Sequence, residues 1–129
     1  MEKELKKILV VDDKEDSRVL VAKVLKRHGY EVIGARSGEE AIALAQKEMP
    51  ALILMDVRLP GGINGLEATR RIKALPGLAR TPILAMTASV RAEDERKALA
   101  EGCDGFVRKP IDIDTLPKQV AEYIARAGG

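Results

Sequence analysis

Apolar residues fall along this chain in two alternating patterns. Short, largely apolar runs at residues 8–11, 30–35, 52–55, 83–86 and 105–108 each predict a strand. Between them, apolar residues recur every three or four positions and predict helices. Leu20, Val21, Val24 and Leu25 form one stripe, with His28 near the end of that helix and Gly29 as its stop. Ser37 and Glu40 have the spacing of a capping box, opening a helix with Ala41, Ile42, Leu44 and Ala45 inward and Pro50 as its close. A loop of turn residues from Leu59 to Gly65 leads to a helix with Leu66, Thr69, Ile72 and Leu75 inward. The fourth helix covers about residues 92–100, and its only inward anchors are Ala98 and Leu99. The last helix carries Leu116, Val120, Tyr123 and Ile124 on one face and is expected to end before Gly128.

Strands that are apolar throughout, rather than at every second position, belong to a sheet covered on both faces. Five strand–helix units in succession require parallel pairing with right-handed crossovers. The predicted fold class is α/β: a doubly wound five-stranded parallel sheet of order 2-1-3-4-5 with five helices, a flavodoxin-like three-layer sandwich.

Composition narrows the function. The 129 residues make one domain's worth of protein, long enough to bury roughly two-thirds of the unfolded surface without a disulfide or structural metal. A net charge of +2 is too small to mark nucleic acid or an anionic membrane as the partner. Cys103 is the sole cysteine, which excludes an internal disulfide. A packed side chain explains it better than a reactive thiol. No stretch has the length of a membrane span, and the charged start has no signal-type apolar segment behind it. A cytoplasmic protein is expected. Tyr30, Phe106 and Tyr123 are the only aromatic side chains, too few for a stacking platform.

The chemistry lies at the strand ends. Asp12 and Asp13 end the first strand, Asp56 the third, Thr87 the fourth and Lys109 the fifth. In an open α/β sheet, ligands bind beyond the carboxyl ends of the strands where the strand order reverses, here between the first and third strands. Three carboxylates gathered there repel one another, and two cations can relieve the repulsion: the Lys109 ammonium and a metal ion. Oxygen-only ligands open to water suit Mg²⁺. A carboxylate nucleophile, a metal, a hydroxyl and a fixed positive charge are the parts that phosphoryl transfer to a carboxylate needs. Any one of these aspartates alone could be a turn or capping residue. All of the polar residues on one rim are not explained that way.

The segments ILVVDD, LILMDVRLPGG with NGLE, PILAMTA and GFVRKP together resemble the receiver domain of bacterial response regulators, of the single-domain chemotaxis type, over essentially the whole chain. The resemblance implies a single receiver domain over residues 1–129 with no output domain, acting as a signalling switch rather than an enzyme. It implies that Asp56 is the phosphoacceptor, supplied by a phosphohistidine on a sensor kinase or a histidine phosphotransfer protein. Asp13 would ligate Mg²⁺ directly, Asp12 mainly through water, and the backbone carbonyl of Arg58 would be a further ligand. Thr87, Ala88 and Lys109 would hold the phosphoryl oxygens, Lys109–Pro110 would be a cis peptide, and Phe106 would be the switch aromatic. Positions such as Arg58 and Ser89 would tune hydrolysis of the acyl phosphate. In one place the chain departs from the family pattern. Gly65 follows Asp56 one residue later than usual, with the extra residue at Gly61-Gly62.

Adding a phosphoryl group changes the local charge by about −1.5 to −2. Thr87 is placed to respond, and the sparsely anchored fourth helix is expected to move at low cost. The output face, where a downstream target protein binds, is expected on the fourth helix, fifth strand and last helix. Arg91, Arg96 and Lys97, interleaved with Glu93, Asp94 and Glu95, are expected to form a solvated helix face. Other readings fare worse. A flavodoxin-type cofactor binder needs a phosphate-cradling loop after the first strand, where Asp-Asp-Lys-Glu-Asp stands instead. A haloacid-type phosphatase needs a second Asp where Arg58 stands. A pseudo-receiver, a pure protein-interaction module, has no need of Asp13, Asp56, Thr87 and Lys109 together.

Overall fold

The computed structural model describes residues 5–128; residues 1–4 of the charged start, and Gly129, lie outside them. Five strands and five helices alternate: β1 (Lys7–Val11), α1 (Glu15–Arg27), β2 (Glu31–Ala35), α2 (Gly38–Glu48), β3 (Leu52–Asp56), α3 (Gly65–Lys73), β4 (Ile83–Thr87), α4 (Ala92–Ala100), β5 (Gly105–Arg108) and α5 (Leu116–Gly128). The sheet has the order β2-β1-β3-β4-β5 with every pair parallel.

Alternation along the strands feeds two cores. Ile8, Val10, Leu52, Leu54, Leu84, Met86 and Val107 face one layer, where Val21, Val24 and Leu25 of α1 and Leu116, Val120 and Ile124 of α5 pack. Leu9, Val11, Ile53, Met55 and Ile83 face the other, against Ala41 and Ala45 of α2 and Ala68 and Ile72 of α3. Each fully buried aliphatic side chain contributes about 1.5–3 kcal/mol, which is why the central strands tolerate no polar residue until their carboxyl ends. A third, smaller cluster under α4 consists of Ala85, Ala98 and Cys103, with Val57, Leu66 and Phe106 at its margin.

The caps explain the helix starts. Ser37 Oγ accepts from the Glu40 amide at 3.1 Å, and Glu40 returns a carboxylate to the Arg36 amide at 2.8 Å, one residue earlier than a standard capping box. Asn64 caps α3 by accepting from the Glu67 amide at 2.9 Å.

Two predicted anchors are wrong. Leu20 is 40% exposed and Leu99 is 52% exposed. Leu20 sits beside the α1 stripe rather than in it. On α4 the buried position is Ala98 alone, packed with the small side chains of Ala85 and Cys103. The last helix also continues through Gly128.

Candidate functional site

The carboxyl ends of β1, β3, β4 and β5 meet in one cleft whose walls include Asp13, Asp56, Arg58, Thr87, Ala88, Ser89 and Lys109. One oxygen from each of Asp12, Asp13 and Asp56 lies within 4.8 Å of the others. Asp12 and Asp56 are buried and Asp13 is exposed. Lys109 Nζ bridges the two buried carboxylates, 3.0 Å from Asp12 Oδ2 and 3.3 Å from Asp56 Oδ2. The second oxygen of each accepts from a backbone amide two residues on: Asp12 Oδ1 from Lys14 and Asp56 Oδ1 from Arg58, both at 3.0 Å. These bonds fix the two carboxylates. Asp13 has no protein partner among the described residues.

Burial pushes the Asp56 carboxyl above its ordinary value. The Asp12 charge adds to the rise, while the Arg58 amide and the Lys109 ammonium oppose it. Lys109 loses charge stability to burial, but its bonds to Asp12 and Asp56 outweigh that loss and raise its pKa. Concentrated negative charge on oxygen donors, one carboxylate of them open, fits a hard divalent cation such as Mg²⁺.

The β3–α3 loop is tied down on both sides. A Cβ on Gly65 would stand 2.0 Å from the Asp56 carbonyl oxygen, so only glycine lets α3 start against the end of β3. Further along, Glu39 of α2 accepts from the Ile63 amide at 3.1 Å, and Ile63 packs where a Cβ on Gly38 would be. The loop that carries Gly61-Gly62 is thus clasped to the start of α2. Gly61 takes φ +76°, a conformation open to glycine.

On the opposite rim, Thr87 Oγ1 accepts from the Ser89 amide at 3.0 Å. The Ala88 amide has no protein partner among the described residues. Phe106 is half-buried at the margin of the small cluster under α4. Lys109–Pro110 is cis. Asp12, Asp13, Asp56, Arg58, Thr87, Ala88 and Lys109 therefore meet at one cleft, while Phe106 lies apart from it, under α4.

The expected solvated face of α4 needs correction. Arg91 pairs with Glu93 in solvent, but Glu95 pairs with Arg108 of β5 and Asp94 accepts from the Ser89 hydroxyl at 2.6 Å. Arg108 is the residue that reading the sequence passed over. Strand alternation places it on the same side as Phe106, two residues earlier, and that was the available signal.

The model of the response regulator receiver domain matches residues 8–121. The chain belongs to the response-regulator receiver family. That places it in two-component signalling. This receiver is 35% identical over 122 residues to the polar-differentiation response regulator DivK of Brucella ovis, covering 95% of this chain and 98% of that protein. Its fold matches the chemotaxis protein CheY4 of Vibrio cholerae with a TM-score of 0.89 at 33% identity, covering 93% of this chain and 99% of that one. It also matches the receiver domain of the sensor histidine kinase PA1611 of Pseudomonas aeruginosa, solved with a magnesium ion coordinated in the active site cleft. That match has a TM-score of 0.87 at 30% identity, over 95% of this chain and 99% of the other. Among the described residues no helix is long and apolar enough to cross a membrane.

Proposed function

We propose that this receiver accepts a phosphoryl group on Asp56 from a phosphohistidine of a sensor histidine kinase or histidine phosphotransfer protein, and passes the signal to a downstream target protein. The reading rests above all on the Lys109 ammonium lying between Asp12 and Asp56 at the rim of a cleft that Asp13 opens to solvent. An Asp56 carboxylate oxygen attacks phosphorus, an O–P bond forms and the P–N bond to the donor imidazole breaks. Lys109, already beside Asp56, meets the charge on the transferring oxygens. The Thr87 hydroxyl and the Ala88 amide donate to the other oxygens; the Thr87 hydrogen is free for this, because its oxygen is the acceptor in the bond from Ser89. Asp13, Asp12, Asp56 and the Arg58 carbonyl would hold Mg²⁺, which supplies positive charge to the phosphoryl oxygens and offsets the repulsion among the carboxylates. The protein forms and loses its own acyl phosphate and is a switch, not an enzyme with a separate substrate.

The output surface in this reading is α4, β5 and α5. α4 buries only Ala98, whereas α1 buries Val21, Val24 and Leu25, so α4 rearranges at the lower cost. Incubation with acetyl phosphate and Mg²⁺ followed by intact mass tests the proposal. A phosphoryl adduct on the parent that is lost in Asp56→Asn supports it; an unmodified parent favours the interaction-only module.

A further inference from the structure

Residues that acceptor chemistry leaves unused connect the phosphate-sensing hydroxyl to the aromatic on the neighbouring strand. Thr87 and Arg108 are partners in the β4–β5 ladder. The Arg108 guanidinium carbon lies 5.9 Å from the centroid of the Phe106 ring. The same guanidinium donates through Nη1 to the Ser89 carbonyl and pairs through Nη2 with Glu95 of α4. Ser89 is held at its other groups as well. Its amide donates to Thr87 Oγ1 at 3.0 Å, and its hydroxyl donates to Asp94 Oδ2 at 2.6 Å and accepts from the Arg91 amide at 3.2 Å. Every tie on Ser89 thus leads to Thr87, to Arg108 or to the first turns of α4.

These ties carry mechanical weight because packing does not. With Ala98 as its only buried residue, α4 has few apolar anchors, and polar contacts reach it from Ser89 before it, from Arg108 of β5 and, at its C-cap Glu101, from Arg70 of α3. When the Thr87 side chain turns toward a phosphoryl group on Asp56, the acceptor of the Ser89 amide is withdrawn. A shift of Ser89 works against its bond from Arg108 and draws on Asp94 and the start of α4. Glu95 and the Phe106 ring meet the same guanidinium, so release at Ser89 is felt at the aromatic.

We propose that Arg108, paired with Glu95, is a latch that holds the Ser89 segment and α4 in their phosphate-free positions and so sets the threshold for switching. The inference rests on the acceptor reading above. Arg108 touches none of the reacting atoms and is a positioning residue. The phosphoryl group is accepted by the arrangement with the latch open, so the rate of adduct formation scales with the fraction of protein in that arrangement, which opening the latch raises. The pair is partly exposed, so the expected shift is modest, roughly two- to fivefold.

The test compares the parent with Arg108→Gln, Glu95→Gln and the double variant. Two readouts are taken: amide hydrogen exchange over residues 88–95 without phosphate, and the rate of adduct formation from acetyl phosphate at saturating Mg²⁺. The latch predicts faster exchange over residues 88–95, with β1 and β3 unchanged. It predicts phosphorylation roughly two- to fivefold faster in Arg108→Gln, a smaller rise in Glu95→Gln, and a double variant no faster than Arg108→Gln alone, because Arg108→Gln already removes the partner through which Glu95 acts. Unchanged or slower phosphorylation in variants of a parent that is itself labelled overturns the latch and leaves the acceptor reading standing. Exchange that rises across the whole sheet also overturns it, since the pair would then serve general stability. A parent that forms no adduct overturns the acceptor reading, and the latch falls with it.

Discussion

Lys109 Nζ stands 3.3 Å from Asp56 Oδ2 and is held there by a second bond to Asp12. The cation is therefore placed before any phosphoryl group arrives. Replacing it with Ala leaves two buried carboxylates facing each other with no positive charge between them. Because Lys109 is only 24% exposed, we expect Lys109→Ala to cost about 1–2 kcal/mol of metal-free stability, less than a fully buried pair would. Mg²⁺ should recover part of that loss. Urea unfolding with EDTA and with Mg²⁺ measures both effects.

Asp56 supplies the pH dependence. Its folded-state pKa is raised by burial, so the carboxylate is less favourable in the folded protein than in the unfolded chain. The resulting destabilisation is fully present above the folded pKa. It fades as pH falls through that value toward the unfolded one. Without metal, Asp56→Asn should therefore stabilise the protein at neutral pH, by about 1 kcal/mol, the low end for neutralising a buried charge. The gain should shrink on acidification across that window. Thermal unfolding of both proteins over a pH series checks the sign.

Gly65 and Gly62 should respond differently to the same substitution. At Gly65 the new methyl meets the Asp56 backbone carbonyl oxygen at 2.0 Å, where neither side can yield. Gly65→Ala should cost about 2 kcal/mol or more and weaken Mg²⁺ binding by displacing the end of β3. At Gly62 the clash is with the Glu39 side chain, which can swing away at the cost of its bond to Ile63, about 1 kcal/mol. Urea unfolding and Mg²⁺ titration of the two variants separate the cases.

Cys103 is buried, and burial pushes its thiol above the ordinary value despite its contact with Thr69. The thiolate is the reactive form. A disulfide reagent at mildly alkaline pH should label the folded protein far more slowly than the urea-unfolded chain. Equal rates would show that the side chain is accessible.

Much of this molecule is legible in the order of its residues. Continuous apolar runs such as residues 52–55 of β3 signal a sheet covered on both faces, and strand order then brings Asp12, Asp13, Asp56, Thr87 and Lys109 to one rim. What periodicity does not set is the phase of a weak stripe. Leu99 and Ala98 were equally eligible for burial, and only Ala98 faces the cluster of Ala85 and Cys103. Nor does local pattern reveal pairings made only when distant elements meet. Glu39 with Ile63, and Glu95 with Arg108, are unremarkable surface residues until α2 reaches the β3–α3 loop and α4 comes to lie beside β5. The cleft chemistry could be read because it resides at strand ends; the ties that control it reside in helix–loop contacts.

The most direct measurement is to locate the modified residue. Borohydride reduces an aspartyl phosphate to homoserine. The protein is treated with acetyl phosphate and Mg²⁺, reduced, digested and mapped by peptide mass spectrometry. Homoserine should appear at position 56 and be lost when Mg²⁺ is withheld. Homoserine at position 12 or 13, or at no position, would contradict the account.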